Sequence, residues 1–326
     1  MITVPPPLPV VRPFDGYWHL CFVPAQGPEG SFCLPFFILC HLGQENAVLK
    51  QRKGDFVYGM LWNQLYRAII SHVIKRRDIN VIKLTNVSKR YHKDAPKALD
   101  NMNLQVQGGE LYGFIGPNGA GKSTAIKLMC GILKPDEGMV QIAGHDVATD
   151  RIAAQQQIGY VPDNNDLYDR LTGMEYLNFM GDIYGVSAAD RKAHIEKYLN
   201  IFSLEDAAAS QIRTYSKGMK QKIMVIGALI HNPPVWILDE PLGGLDPRAA
   251  HLLKEEMRAH CQKGNTVFFS THVLEVAEKL CTRIGIIQKG TLRAEGTLEE
   301  LRSGEKGASL EELFLELTDD GGEENA

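Results

Sequence analysis

The run Gly116-Pro117-Asn118-Gly119-Ala120-Gly121-Lys122-Ser123-Thr124 constrains this chain more than any other stretch. It fits the pattern GxxxxGK[ST]. It also sits where that pattern has meaning, between the apolar run ELYGFI and a helix expected over 122–132. Strand, glycine-rich turn and helix in that order make a cradle for phosphate. Glycines let backbone N–H groups curl around phosphate oxygens, and the helix N-terminus adds the positive end of its dipole. Lys122 is suited to reach β- and γ-phosphates, and Ser123 to offer an oxygen to Mg²⁺. Agreement over the whole run, in that context, makes a chance glycine-rich turn a poor explanation. A chain built around such a unit belongs to the α/β class, with strands alternating with helices and a largely parallel sheet.

The segments after residue 80 fit that class. VIKLTNV and ALDNMNLQV are strand candidates that could pair with one another, and MVQIAG, QIGYVP and TVFFS are further strands. Helices are expected over about 174–206 and in KGMKQKIMVIGALIHN, AAHLLKEEMRAHCQKG and HVLEVAEKL. RIGIIQKGTLRAEG reads as a hairpin turning at Lys-Gly. VWILDE is a buried strand that closes in Asp239 and Glu240. In a parallel sheet, that places both carboxylates beside the phosphate loop. Asp239 is suited to hold Mg²⁺, directly or through water, and Glu240 to polarise an attacking water as general base. An exposed acidic strand end is the plain alternative, and the phosphate loop upstream weighs against it.

Composition narrows the partners. The 326 residues are 44% hydrophobic and 23% charged, ordinary globular values that exclude a wholly disordered, collagen-like or coiled-coil chain. A formal net charge of -4 lacks the basic footprint of a general nucleic-acid binder. Cys21, Cys33, Cys40, Cys130, Cys261 and Cys281 form no CxxC or zinc-like pair, so they read as reduced thiols. The most apolar run, residues 32–42, is interrupted by Pro35 and falls short of the roughly 20 residues of a spanning helix. The opening MITVPPPLPVVRPFD has no basic residue before its apolar stretch and does not read as a signal peptide. Work at a membrane would therefore go through a partner.

The chain changes character near Asp78. Residues 1–78 carry clustered Pro and scattered aromatics, with a helical pattern only over 56–77, which has an apolar stripe and a basic end. Residues 79–318 are dense in regular signals, and 319–326, DDGGEENA, read as a frayed acidic tail. Three readings compete for 1–78: an accessory domain, an arm whose basic helix lies on a membrane surface or partner, and a segment that is not made because translation starts later, near Val81. The last is the expectation, and an intact mass of roughly 27 kDa would support it, at about 110 Da per residue.

Tyr215-Ser216-Lys217-Gly218-Met219 adds specificity. It resembles the signature of ABC ATPases, usually LSGGQ. The run YSKGMKQKIMVIGALIHNPPVWILDEPLGGLDP is similar to that family as a whole, and more narrowly to the ATP-binding subunits of ABC-2-type exporters. The resemblance covers about residues 81–318 and not 1–78. It implies a P-loop NTPase core with an antiparallel β subdomain and a helical subdomain at about 164–215, preceded by a poorly structured extension. It also implies that Tyr91 stacks on adenine, where a flat ring serves at low entropy cost. By the same resemblance, His272 touches the γ-phosphate, Asp246 communicates across a dimer, and Ser216 and Gly218 close over ATP bound to the opposite subunit. Tyr215, Lys217 and Met219 depart from the usual signature. Asp163 stands where the family usually has Gln; it could still accept at the metal shell, but adds negative charge near a triphosphate.

The implied ligands are ATP and Mg²⁺. The implied assembly is a head-to-tail homodimer, or a pair with a paralogous ATPase subunit, docked on integral-membrane permease subunits at the cytoplasmic face, with no direct nucleic acid. The expected function is ATP binding and hydrolysis coupled to export. A soluble ABC ATPase with a mechanical role is the rival, but DNA-repair types insert a long coiled coil between phosphate loop and signature, and ribosomal types carry two cassettes. A small-molecule kinase would not need Ser216, Gly218, Asp246 and His272. The transported substrate is chosen by subunits this chain lacks. The C-terminal helix in ASLEELFLELT is left open between packing on the core and on a second copy.

Overall fold

The computed structural model describes residues 10–14, 17–21, 80–164, 167–303 and 309–318. The chain divides into two units, Met1–Leu65 and Tyr66–Ala326. In the first, β1 (Val10–Phe14) pairs antiparallel with β2 (Tyr17–Cys21), from Val10 opposite Cys21 to Phe14 opposite Tyr17. That ladder goes beyond the expectation of an extension without fold pattern. In the sequence, Asp-Gly between VVRPF and YWHLC is a hairpin signal. The helix expected over 56–77 and the acidic tail 319–326 lie outside the described residues.

The second unit carries β3 (Asn80–Lys89), β4 (Leu99–Gln107), β5 (Leu111–Ile115), β6 (Glu137–Ile142), β7 (His145–Asp146), β8 (Ile158–Val161), β9 (Val235–Leu238), β10 (Thr266–Thr271), β11 (Arg283–Gln288) and β12 (Thr291–Gly296). Its helices are α1 (Lys122–Met129), α2 (Arg151–Gln156), α3 (Gly173–Ile183), α4 (Ala188–Phe202), α5 (Lys217–Leu229), α6 (Pro247–Gln262), α7 (Leu274–Leu280), α8 (Leu298–Ser303) and α9 (Leu310–Thr318). One sheet runs β12-β11-β5-β10-β9-β8 and is parallel except for β12. The other runs β4-β3-β6-β7 and is antiparallel. This is the P-loop core with an antiparallel subdomain that the resemblance implied.

Residue patterns explain the two sheets. Along β4, Leu99, Met102, Leu104 and Val106 are buried while Asn101, Asn103 and Gln105 are exposed, the alternation of a strand with one wet face. β5, β9 and β10 are buried at every position, because helices or the second sheet cover both faces. Successive residues of these strands enter different cores. Trp236, Leu238, Val267 and Phe269 join Leu177, Leu199, Phe202, Ile223 and Ile226 of the helical layer. Val235, Ile237 and Phe268 join Ile82, Leu104, Val106 and Ile126 on the other side.

The helical stretch expected over 174–206 is two helices. α3 opens with a capping box, in which Thr172 Oγ1 accepts from Glu175 N–H (3.1 Å) and the Glu175 carboxylate accepts from Thr172 N–H (2.8 Å). The chain breaks at Gly185, and Ser187 caps α4 by accepting from Asp190 N–H. The C-terminal α9 packs on the core: Leu310 is buried with Ile115, Ala277, Ile284 and Ile286, and Gln288 Nε2 donates to Thr318 O at 2.8 Å. Among the described residues, no helix is long and apolar enough to cross a membrane.

Candidate nucleotide site

Parallel strands deliver their carboxyl ends to one edge of the sheet. Here β5 runs into Gly116, β9 into Asp239, β10 into His272 and β8 into Pro162-Asp163. Register keeps these ends level: Ile115 lies opposite Thr271, Phe269 opposite Leu238, and Leu238 opposite Val161.

The phosphate loop curls between β5 and α1 as expected. Its last glycine, Gly121, has φ +110, and a Cβ there would lie 2.5 Å from Ala98 O, so only glycine fits. α1 has no side-chain cap and no acidic residue in its first turn, which leaves its N-terminal N–H groups for an anion. Lys122 is buried and donates to Gly116 O (2.6 Å) and Pro117 O (3.3 Å). Pro117, Asn118, Gly119 and Ser123 are exposed, whereas Ala120 and Thr124 are buried. The far side of the loop is held by the β11–β12 turn, where Gly290 N–H donates to Ala120 O at 2.9 Å.

Asp239 is 3% exposed, and Ser270 Oγ donates to its Oδ1 at 2.6 Å. The same hydroxyl accepts from Glu240 N–H at 2.9 Å. Glu240 has φ +48, a left-handed conformation that costs about 1 kcal/mol or more away from glycine. Its carboxylate lies 3.6 Å from Lys122 Nζ through one oxygen and 3.0 Å from His272 Nδ1 through the other. Ser270 is absent from the sequence reading. The one available signal is a hydroxyl that closes the run TVFFS after two phenylalanines.

Tyr91 is half-exposed, and its hydroxyl lies 3.2 Å from Thr124 Oγ1, linking the segment after β3 to α1. Asp163 is exposed just past β8 and makes no ion pair among the described residues. Burial pushes the neighbouring Tyr160 phenol up, and the charges of Asp239 and Asp163 add to that. No cluster of three or more His, Cys, Asp or Glu side chains that could hold a metal gathers among the described residues. One buried carboxylate, Asp239, at the sheet edge that also carries the phosphate loop with Ser123, fits a Mg²⁺ that takes the rest of its shell from nucleotide phosphates and water.

Ser216, Gly218 and Asp246 form a second group. Ser216 caps α5, its Oγ accepting from Met219 N–H at 3.2 Å, and Asp246 caps α6, accepting from Ala249 N–H at 2.8 Å. That N–H bond, with Lys222 3.5 Å away, holds the Asp246 carboxyl below the usual range. A Cβ on Gly218 would lie 3.2 Å from Gly244 O, so the signature and the turn before Asp246 abut. Tyr215 is buried, with its hydroxyl donating to Ala207 O at 2.7 Å, so this departure from the usual signature serves the helical layer. Among the described residues, no side-chain hydrogen bond joins Ser216 to the phosphate loop of its own chain.

A family model described as ABC transporter matches residues 99–243. Nod factor export ATP-binding protein I of Burkholderia thailandensis is 36% identical over 233 residues, 72% of this chain and 76% of that protein. The chain belongs to the ABC transporter ATP-binding family. This ABC ATPase is also 38% identical over 229 residues to the ABC-type transporter ATP-binding protein EcsA of Bacillus subtilis, covering 69% of this chain and 93% of the relative. A solved ATP-binding subunit of an ABC transporter superposes with a TM-score of 0.70 at 38% identity, over 73% of this chain and 99% of that one. A dimeric post-hydrolysis state of the ATP-binding cassette MJ0796, bound to ADP and Pi, superposes at 0.60 with 27% identity, over 66% and 98%. The ABC protein described here is accordingly an ATP-binding ATPase of P-loop fold.

Proposed function

We propose that this chain is the ATP-binding and ATP-hydrolysing subunit of an ABC-2-type exporter. It works as a head-to-tail dimer, with itself or a paralogous ATPase, on the cytoplasmic side of integral-membrane permease subunits. Two observations support the dimer: among the described residues no side-chain hydrogen bond joins the two half-sites within one chain, and a solved relative, MJ0796, is dimeric. Glu240, Lys122 and His272 meet at the phosphate edge, while Ser216 hydrogen-bonds within its own helix. The export reading draws on a relative named for Nod factor export. A permease surface is favoured by Tyr168, Met174, Phe179 and Ile183, exposed at or just before α3. The ATPase body is assigned to 79–318, with its helical subdomain at about 164–215, apart from the 1–78 extension and the 319–326 tail.

Each site residue then has a task. Tyr91 offers its ring to adenine. The backbone of Gly116, Pro117, Asn118, Gly119, Ala120 and Gly121 surrounds the phosphates, with Thr124 at the base of the cradle. Lys122 exchanges the carbonyls of Gly116 and Pro117 for phosphate oxygens. Ser123 and Asp239 hold Mg²⁺, with Asp163 an acceptor at its outer shell; the ion neutralises charge on the phosphates. Glu240 accepts the proton of the attacking water, and His272 steadies the carboxylate and reaches the γ-phosphate. Ser216 and Gly218 donate to the γ-phosphate held by the partner, and Asp246 faces it across the interface. Contacts to the γ-phosphate that ADP cannot make favour the closed dimer, and hydrolysis releases it.

The test is affinity purification from detergent-solubilised membranes of the host. A stoichiometric polytopic membrane protein is the expected result. Recovery only from the soluble fraction, with ribosomes, DNA or nothing, would replace the exporter by a soluble mechanical ATPase.

A further inference from the structure

We propose that, when the dimer closes on ATP, Lys217 of one subunit pairs with Asp163 of the other. This rests on the head-to-tail dimer proposed above.

Asp163 belongs to the phosphate edge. Asp239 N–H donates to Val161 O at 2.9 Å, so the chain leaving β8 runs beside the end of β9. Among the described residues three carboxylates stand at that edge, and two have partners: Asp239 accepts from Ser270, and Glu240 is flanked by Lys122 and His272. Asp163 is exposed and makes no ion pair among the described residues. A triphosphate with its one Mg²⁺ is still net negative, so Asp163, at most an outer-shell acceptor of that ion, gains from a cation that arrives with closure.

Lys217 is the corresponding cation. It opens α5 between Ser216 and Gly218. Its near neighbours are paired, Lys220 with Asp169 (2.7 Å) and Lys222 with Asp246 (3.5 Å), whereas Lys217 is exposed and makes no ion pair among the described residues. Its stem has a fixed bed: a Cβ on Gly244 would lie 3.2 Å from both its Cδ and its Cε. The side chain is thus laid along the turn that precedes Asp246, with its head free. The closure that carries Ser216 and Gly218 over the partner's phosphates carries Lys217 to the partner's sheet edge. Two opposite charges, neither in an ion pair among the described residues of the free subunit, then meet, and the attraction is gained only in the closed state.

The experiment uses the full chain carrying Glu240→Gln, with ATP and Mg²⁺, and reads the dimer dissociation constant by sedimentation. Asp163→Lys and Lys217→Asp, made singly, are expected to raise it about tenfold or more, because a symmetric dimer contains the pair twice and each change turns attraction into repulsion. Together they are expected to restore it to within about threefold of the parent. Both positions are exposed, and an unchanged Tm confirms that the variants fold. Single changes without effect, or a double variant no tighter than the worse single one, overturn the pair. The latter is also the result if Lys217 serves the γ-phosphate instead. A Glu240→Gln parent that stays monomeric with ATP sinks the dimer reading itself, and the pair with it.

Discussion

Glu240 is the residue on which chemistry and local geometry meet. Its left-handed backbone is retained because Ser270 holds its N–H while Lys122 and His272 flank its carboxylate. Glu240→Gln keeps the shape and removes the base, so turnover should fall by at least about 100-fold while ATP stays bound and a dimer accumulates. Near-normal turnover in a steady-state phosphate-release assay would remove Glu240 from that role. Ser270→Ala leaves a buried carboxylate oxygen and a backbone N–H without their shared partner. It should cost about 1–3 kcal/mol in urea denaturation and slow hydrolysis as well. Asp239 and Glu240 were legible because four apolar residues ending in carboxylates announce a buried strand and its outlet. Ser270 was not, because its role depends on register: the residue before it lies opposite Leu238, which sets its hydroxyl beside Asp239. No pattern within TVFFS carries that pairing.

The β11–β12 hairpin was legible in outline from Lys-Gly between RIGIIQ and TLRAEG, and its turn does lie at Lys289-Gly290. Its use was not legible. Gly290 donates to Ala120 O in the phosphate loop and accepts from Asp100 N–H (3.0 Å) at the start of β4, so one turn fastens the parallel sheet to the antiparallel one. Gly290 has φ +77, and an added Cβ would lie 2.7 Å from Ala98 O. Gly290→Ala should therefore lower stability by about 1–3 kcal/mol. It should also raise the KM for ATP more than it lowers kcat, as measured by initial rates. Helix boundaries were less legible than helix existence. The pattern over 174–206 is apolar-periodic throughout, and the break at Gly185 and Ser187 shows only once the caps are seen.

Two of the three hydrophobic cores among the described residues, one on each face of the central sheet, meet through β5, β9 and β10 and join the helical layer to the antiparallel sheet. The class of fold was plain from the order of strands and helices. The division into two cores follows from which face each residue of an all-buried strand takes, and an unbroken apolar run does not reveal that. The helical side contains a buried imidazole, His260, and a half-buried one, His231. His231 stacks on Tyr184 at 3.6 Å, and His260 packs edge-on against Trp236. Burial pushes both down to about 4. Above about pH 6.5 neither the folded nor the unfolded chain protonates them, and stability is full. As pH falls from about 6.5 toward 4 only the unfolded chain takes the protons, so stability is lost, on the order of 3 kcal/mol for each histidine. Urea midpoints at pH 7.5 and 5 should show the decline, and His260→Gln should flatten it. The turn that backs the phosphate loop has a further consequence during synthesis. On a ribosome, residues 116–121 emerge long before Gly290, and β11, the immediate neighbour of β5, is also still unmade. A nascent chain stalled before β11 therefore has the phosphate-loop residues without the strand and turn that back them, so firm nucleotide binding should wait for β11 and Gly290 to emerge.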